Sequence, residues 1–319
     1  FTSYFRIMNN LTCVIAFINE GAELYATLSS IRQTAGSRVD ILLVDDGSDD
    51  GVDYEVMAEM FGARYIRHSV RQGSAPSKHE GVGMVETPCF LLLDGHMRFY
   101  SEDWPERVVA HIEAAPEAVY CCRCRGLEPG DTAHTFGAFV NFDKTEIFAA
   151  KWLTGMPDDG DESMKIPCII GASYAGSVDT FNRLRGFEGL TGYGAEEEYL
   201  SIKAWMSGGG VRQIRDVVVG HRFNVSRIVG GRPKFVTSGY EVLHNRMVIA
   251  STLLPERTAA ECMRYWSKRQ TRYAEARAQI EREAEHIAEL RVYYMSRFLY
   301  GFDHFEEVNN KARRNERIE

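Results

Sequence analysis

The sequence predicts an α/β protein built on a doubly wound, mostly parallel sheet, with a long helical extension at its C-terminal end. Three observations carry that expectation. Short apolar runs alternate with segments of helical period over the first hundred residues. Those runs end abruptly in Asp, Gly or His. The last sixty residues change to a seven-residue aromatic and aliphatic repeat. With 319 residues, 45% of them hydrophobic and 26% charged, the chain is long enough to bury a large core.

Leu11 to Phe17 (LTCVIAF) reads as a buried strand that stops at Asn19-Glu20-Gly21, and Leu24, Leu28 and Ile31 recur at helical spacing after it. VDILLVDDGSDDG predicts a second strand, and Val56, Met57, Met60 and Phe61 predict a helix. ARYIRHS follows as a third strand, Ala75 to Val85 as a helix, and TPCFLLLDGH as a fourth strand. In such sheets ligands lie beyond the carboxyl ends of the strands, where Asp45-Asp46 and Asp94-Gly95-His96 fall. A helix is expected around Trp104 to Ala114, a strand around Ala118 to Cys124, and a Gly/Asp-rich loop at 156–162. Ile228 to Phe235, with Gly230, Gly231 and Pro233, reads as a mobile loop. Thr258-Ala-Ala-Glu261 has the form of a capping box opening one helix that runs to about Leu299. Trp266, Tyr273, Ile280, Ile287 and Tyr294 repeat every seven residues along it, but the second seam is Gln270, Arg277 and Arg291. A half-formed coiled coil of this kind packs back on the domain or against a second copy in a homodimer.

The net charge is −8 and is spread unevenly. Between Lys203 and Arg277 stand fourteen Lys/Arg against five Asp/Glu, while the rest of the chain has 23 basic and 40 acidic residues. That surplus either faces an anionic acceptor, such as nucleic acid or a phospholipid-linked group, or is a solvated surface paired with acidic neighbours. The seven cysteines are an odd number without a disulfide framework, which predicts free thiols and a cytoplasmic location. Cys121, Cys122 and Cys124 read better as small side chains of a buried strand than as a zinc site. The opening FTSYFRIMNN lacks the apolar core and cleavage pattern of a signal peptide, and no apolar run approaches the length of about eighteen residues that spans a bilayer.

Three features carry chemistry. In Asp94-Gly95-His96, residues two apart in an extended segment face one side, so the carboxylate and imidazole can share a cation, and Gly95 allows close approach of a phosphate. Val217 to His221 is an apolar run ending in His. Such a His is commonly a core residue, but with Asp94 and His96 it completes one carboxylate and two imidazoles, a donor set suited to Mn²⁺ or Mg²⁺ with positions left for diphosphate oxygens. Glu196, Glu197 and Glu198 open a helix, where they complement its dipole. The functional alternative sets Glu196 or Glu197 against the sugar or the acceptor hydroxyl.

FINE (Phe17 to Glu20), LLVDDGS (Leu42 to Ser48), LLLDGH (Leu91 to His96), GASYAGSVDTFNRLRGFEG (Gly171 to Gly189), YGAEEEYLSIKAW (Tyr193 to Trp205) and VGHRFN (Val219 to Asn224) occur in that order. Together they resemble the catalytic domain of polypeptide N-acetylgalactosaminyltransferases, and equally the broader family-two glycosyltransferases. The resemblance runs from about Leu11 to Arg246. It implies a GT-A fold over 1–255, with a nucleotide-sugar half at about 11–100 and an acceptor half at about 101–250, followed by a helical extension over 256–319. It implies further that Phe17, Asn19, Glu20, Asp46, Arg71, Asp94 and Arg222 surround a UDP-sugar donor, Asp46 at the uracil. Asp94, His96 and His221 would bind Mn²⁺, Glu196 and Glu197 would act at the sugar and acceptor, and Gly230-Gly231 would form a lid. The chain departs from the family pattern at Ile18, Tyr199 and Asn224, which fall on nucleobase, sugar and lid contacts and leave the metal set intact.

The function expected from these residues is metal-dependent transfer of a sugar from a nucleotide sugar to an acceptor hydroxyl; the resemblance favours retention, whereas an inverting route would need a carboxylate base such as Glu197. A nucleotidyltransferase acting on a sugar phosphate would also use carboxylates and a metal, but it normally needs a Gly-rich loop after the first strand, and INEGAEL is not one. A non-catalytic nucleotide-sugar or nucleic-acid binding module would leave the complete metal set without a purpose.

Overall fold

In the computed structural model, the described residues are 9–128, 135–142, 148–155, 160–223 and 239–318, with the backbone of 228–229 and 232–233. The chain runs β1 (Leu11–Phe17), α1 (Ala22–Ala35), β2 (Asp40–Asp45), α2 (Tyr54–Met60), β3 (Arg64–Arg67), α3 (Ser74–Gly83) and β4 (Cys89–Leu93). It continues through β5 (Met97–Phe99), α4 (Trp104–Ala114), β6 (Val119–Gly126), β7 (Ala138–Asn141), β8 (Ala149–Trp152), β9 (Ser163–Lys165), β10 (Ser173–Ser177), α5 (Val178–Arg183), α6 (Glu196–Met206) and β11 (Val211–His221). Two short strands, β12 (Ile228–Val229) and β13 (Arg232–Pro233), pair antiparallel where a loop is expected from sequence, and Gly230 and Gly231 between them lie outside the described residues. Helices α7 (Glu241–Leu253), α8 (Glu256–Ser267), α9 (Tyr273–Arg282), α10 (Ala284–Arg297) and α11 (Phe302–Arg313) follow.

The main sheet has the order β3-β2-β1-β4-β10-β6-β11-β5, with β9 also on β11. Strands β3, β2, β1 and β4 are mutually parallel, as their apolar runs require: β1, β2 and β4 are covered on both faces. After β3 the chain crosses to the far side of β1 to form β4, so a topological switch lies beside β1, and the crevice outside its carboxyl end is the natural ligand position. Antiparallel β10 then joins β4 to β6, and β11 runs parallel to β6 but antiparallel to β5. Cys121, Cys122 and Cys124 lie buried along β6 as free thiols, and burial pushes all three up. Helix α3 packs against β1 so closely that a Cβ on Gly81 would stand 2.6 Å from Val14 Cγ1.

The C-terminal region is helical, but one continuous helix from Thr258 does not form. Helix α8 starts at Glu256 on Pro255, so Thr258 is already inside it and no side chain caps its first turn. Breaks follow at 268–272 and at Glu283. The reason is packing: a straight rod could not keep the heptad residues on this core. Trp266, Ile280, Ile287 and Tyr294 are buried in the same cluster as α6 and α7, and Tyr294 OH meets Tyr199 OH at 2.9 Å. At the second break, the Glu283 carboxylate lies 2.8 Å from Nε2 of the fully buried His244. The heptad seam is therefore consumed within the chain. A homodimer through this region would have to use the exposed Val292, Met295 and Leu299 instead. No helix of the described residues is long and apolar enough to cross a membrane.

The basic surplus between Lys203 and Arg277 is partly absorbed by the fold. Lys203 is fully buried, donates to Gly186 O and lies over the Tyr199 ring, and burial drives its pKa well down. Arg257, Arg272 and Arg277 form short-range ion pairs with Glu261, Glu275 and Glu281. Arg264, Lys268 and Arg269 remain exposed, on the rim of a cavity of about 570 Å³ between α8 and α11.

Candidate functional site

Register brings three distant side chains together. Because β4 pairs with β1 (Leu93 opposite Ile15), the segment after β4 emerges beside the segment after β1. Asp94-Gly95-His96 is a tight turn into β5 rather than an extended end, so the two ligand-type side chains share a side by turning, not by alternation. Buried Thr27 fixes that turn: its hydroxyl donates to Gly95 O at 2.8 Å and accepts from Met97 N at 2.9 Å. His221 arrives on β11, whose antiparallel pairing sets it opposite Met97, the residue after His96. The donor atoms of Asp94, His96 and His221 all lie within 4.8 Å of one another. His221 Nε2 is 3.2 Å and His96 Nε2 3.9 Å from Asp94 Oδ2, and the two rings stand 4.9 Å apart. Burial would raise the Asp94 carboxyl, but the His221 hydrogen bond and the charge of Lys78 outweigh it and hold it at about 2.

Glu20, expected at the donor, sits behind His96, with its two oxygens 3.3 and 3.2 Å from Nδ1. Gly95 is needed for this arrangement, since an added Cβ would stand 2.6 Å from Glu20 Cγ. Gly95 therefore makes room for the Glu20 stem at the place where close approach of a phosphate is expected from sequence.

A second group faces the first. Glu196 and Glu197 open α6 after Ala195, which holds the left-handed φ of 71°. The Tyr174 hydroxyl donates to Glu197 Oε1 at 2.5 Å, and a Cβ on Gly171 would lie 2.4 Å from that same oxygen. Lys78, buried on α3, lies over the Tyr174 ring at 4.9 Å. Burial alone would lower the Lys78 ammonium, but Asp94, Glu196 and Glu197 raise it above its ordinary value. In turn, burial and the Glu197 charge push the Glu196 carboxyl up against the opposing pull of Lys78. One buried cation thus ties the metal-type triad to the carboxylates of α6. Sequence reasoning missed Lys78 and Tyr174. The available signal was spacing: Ala75, Lys78 and Val82 form the buried stripe of α3, and a Lys within such a stripe needs acidic partners.

The remaining expected residues form a supporting wall. Asp46 is turned into its own chain: Oδ1 accepts from His68 Nδ1 at 2.9 Å and Gln72 N at 2.7 Å, and Oδ2 from Gly73 N at 2.8 Å. With both lone pairs of Oδ1 in use, only Oδ2 keeps an acceptor position for a base. Arg71 Nε lies 3.8 Å from Oδ2. Asn19, at φ 52°, pairs its side chain with Asp49, and Phe17 packs edge-on against Tyr54 in the core. Arg222 pairs with Glu23 on α1 at 3.3 Å.

Two predictions arise from this wall. Gly73 has φ 101°, and a Cβ there would stand 2.3 Å from Gly192 Cα, so Gly73→Ala is expected to cost at least about 1–3 kcal/mol, read from urea unfolding. His68 is buried between Asp46 and Glu80. Burial would lower its pKa, but hydrogen bonds to those two carboxylates raise it above 6.5. The stability it contributes is therefore complete below about pH 6.5 and is lost as pH rises through the elevated folded value. Unfolding midpoints measured between about pH 6 and 9 are expected to fall in the wild type and to flatten in His68→Gln.

Comparisons with known proteins bear on the fold that carries this site. The family described as Glycosyl transferase family 2 matches residues 12–158. Polypeptide N-acetylgalactosaminyltransferase 4 of Caenorhabditis elegans is 24% identical over 229 residues, covering 68% of this chain and 38% of the relative. N-acetylgalactosaminyltransferase 4 of Drosophila melanogaster is 26% identical over 248 residues, covering 72% and 38%. The chain spans about two fifths of the length of these curated relatives. The crystal structure of GalNAc-T7 with UDP, GalNAc and Mn²⁺ superposes with a TM-score of 0.75 at 18% identity, over 96% of this chain and 58% of that one. The chain has the GT-A fold and is similar to glycosyltransferases, with its match to family 2 lying over residues 12–158.

Proposed function

We propose that this protein is a metal-dependent glycosyltransferase that moves a hexosyl or N-acetylhexosaminyl group from a UDP-sugar to an acceptor hydroxyl, with retention at the anomeric carbon. The observation that carries the reading is the convergence of Asp94, His96 and His221 at the mouth of the β1/β4 crevice. Two imidazoles and one ionised carboxylate fit Mn²⁺, which accepts mixed nitrogen and oxygen donors. Bound there, the ion would supply Lewis acidity to the departing diphosphate. The named relatives act with N-acetylgalactosamine, and the GalNAc-T7 structure holds UDP and Mn²⁺, which supports the donor and metal classes.

The chain's own groups divide the remaining work. Lys78 holds a positive charge between the triad and the α6 carboxylates, where it can offset charge on a leaving phosphate. Tyr174 keeps Glu197 oriented by donating to Oε1, and Glu196 stands beside it for the sugar or the acceptor. Exposed Arg264, Lys268 and Arg269 favour an anionic acceptor.

The test is a panel of nucleotide sugars with Mn²⁺, Mg²⁺ or EDTA. It reads nucleoside diphosphate release with and without a phosphorylated lipid, a nucleic acid or a neutral glycan, and the anomeric configuration of the product by NMR. Metal-dependent UDP release stimulated by an anionic acceptor is expected. Pyrophosphate as the product would transfer the protein to the nucleotidyltransferases, and no turnover of any nucleotide sugar would remove the proposal.

A further inference from the structure

We propose that Glu20 is a positioning residue for the cation site, acting through His96; the inference rests on the metal reading above. Its carboxylate accepts the Nδ1–H of His96 and so selects the tautomer whose bare Nε2 faces Asp94 and His221.

Four observations support it. The Glu20 oxygens are 3.3 and 3.2 Å from Nδ1, while Nε2 of the same ring is the atom directed at Asp94 Oδ2. Both side chains are largely shielded, at 7% exposure for Glu20 and 14% for His96, so the contact is made at reduced dielectric. The backbone is arranged around it: Asn19 takes a left-handed φ of 52° immediately before Glu20, and Gly95 leaves the space that the Glu20 stem fills. Finally, the contact joins the segments that follow two neighbouring parallel strands, β1 and β4, whose register sets them side by side. A neutral imidazole has one N–H and one lone pair. An acceptor at Nδ1 therefore leaves Nε2 free to ligate, whereas the opposite tautomer would point an N–H at the cation. His221 lacks such support, since its buried Nδ1 has no hydrogen-bond partner among the described residues. His96 is thus the imidazole whose tautomer is set before metal arrives.

The experiment uses the full chain with ¹⁵N-labelled histidine and Mn²⁺ or Mg²⁺ alone as the probe. In metal-free wild type, long-range ¹H–¹⁵N spectra are expected to show His96 protonated at Nδ1, and in Glu20→Ala a mixture of tautomers. Mn²⁺ affinity, read by electron paramagnetic resonance, is expected to fall about 10–100-fold in Glu20→Ala and less in Glu20→Gln, which keeps a neutral acceptor. Gly95→Ala displaces the Glu20 stem without altering a ligand atom and is expected to weaken Mn²⁺ in the same direction. An Nε2–H tautomer in the wild type overturns the inference. So does a Glu20→Ala protein, folded by circular dichroism, that binds Mn²⁺ within twofold of wild type. If neither wild type nor Glu20→Ala binds Mn²⁺, the metal reading falls and takes with it any role for Glu20 toward a cation. Loss of binding in Asp94→Ala with retention in Glu20→Ala removes the Glu20 inference alone.

Discussion

Asp94→Ala and His221→Ala are each expected to reduce metal-dependent sugar transfer by about 10³-fold or more while the protein stays folded. A loss of that size corresponds to roughly 4 kcal/mol of transition-state stabilisation, in the range a Lewis-acidic cation provides to a developing phosphate charge. Asp94 is the more sensitive of the two. Its carboxyl, held at about 2, is ionised at every working pH and faces both imidazoles and Lys78. Removing it deletes a ligand and the charge that attracts the ion. His221 closes the site from β11, and its replacement leaves a carboxylate and one imidazole, too few protein donors to hold Mn²⁺ firmly. Neither side chain is part of the apolar core, so both variants should be folded by circular dichroism, with a lower urea midpoint for Asp94→Ala because the fold holds that carboxyl below its usual range. Mn²⁺ titration and UDP release measure the two losses separately. Full activity of either variant in the presence of EDTA would remove the metal assignment.

Lys78→Met is expected to lower kcat/KM by about 10²–10³-fold, with Lys78→Arg recovering part of it. The methionine fills similar volume without the charge, so the variant isolates electrostatics from packing. In the wild type, the Lys78 ammonium opposes the upward push of burial and Glu197 on the Glu196 carboxyl. Without it, Glu196 retains its proton to higher pH. If transfer needs Glu196 ionised, the acidic limb of the pH–rate profile moves to higher pH in Lys78→Met and returns in Lys78→Arg. A parallel drop in stability is expected, because a buried lysine removed from among Asp94, Glu196 and Glu197 leaves those carboxylates uncompensated. An unshifted pH profile together with an unchanged kcat/KM would show that Lys78 serves packing only.

Strands β1, β2 and β4 were legible because each is a short apolar run closed by Asp, Gly or Asn, whereas the more polar β3 (RYIR) stood out mainly by its place in the strand–helix alternation. Helix α4 was legible from its own period, Trp104, Val108 and Ile112 forming one buried face. The C-terminal heptad packs back on the domain, as its half-formed seam predicts, but in three helices rather than one. The repeat was real, but period alone does not say what the apolar face meets. Here it meets α6 and α7, and bending at 268–272 and Glu283 keeps Trp266, Ile280 and Tyr294 on that curved surface.

Within the site, the residue types were readable, since Asp, His and Glu at strand and helix ends are chemically conspicuous. Their partners were not. Glu20 and Asp46 both read as acidic groups near a nucleotide, but the sequence does not show their bonds within the chain, Glu20 to His96 and Asp46 to the 72–73 backbone. Lys78 and Tyr174 sat unnoticed in a helix and a strand whose periods looked merely structural.

The sequence by itself determined the α/β class, the strand ends where charge could gather, and the donor types for a cation. Only the tertiary structure decided which of those groups touch. Contact between residues 20 and 96, or 94 and 221, depends on strand order and register, set by packing among elements far apart along the chain, and a local pattern of residues carries no record of it.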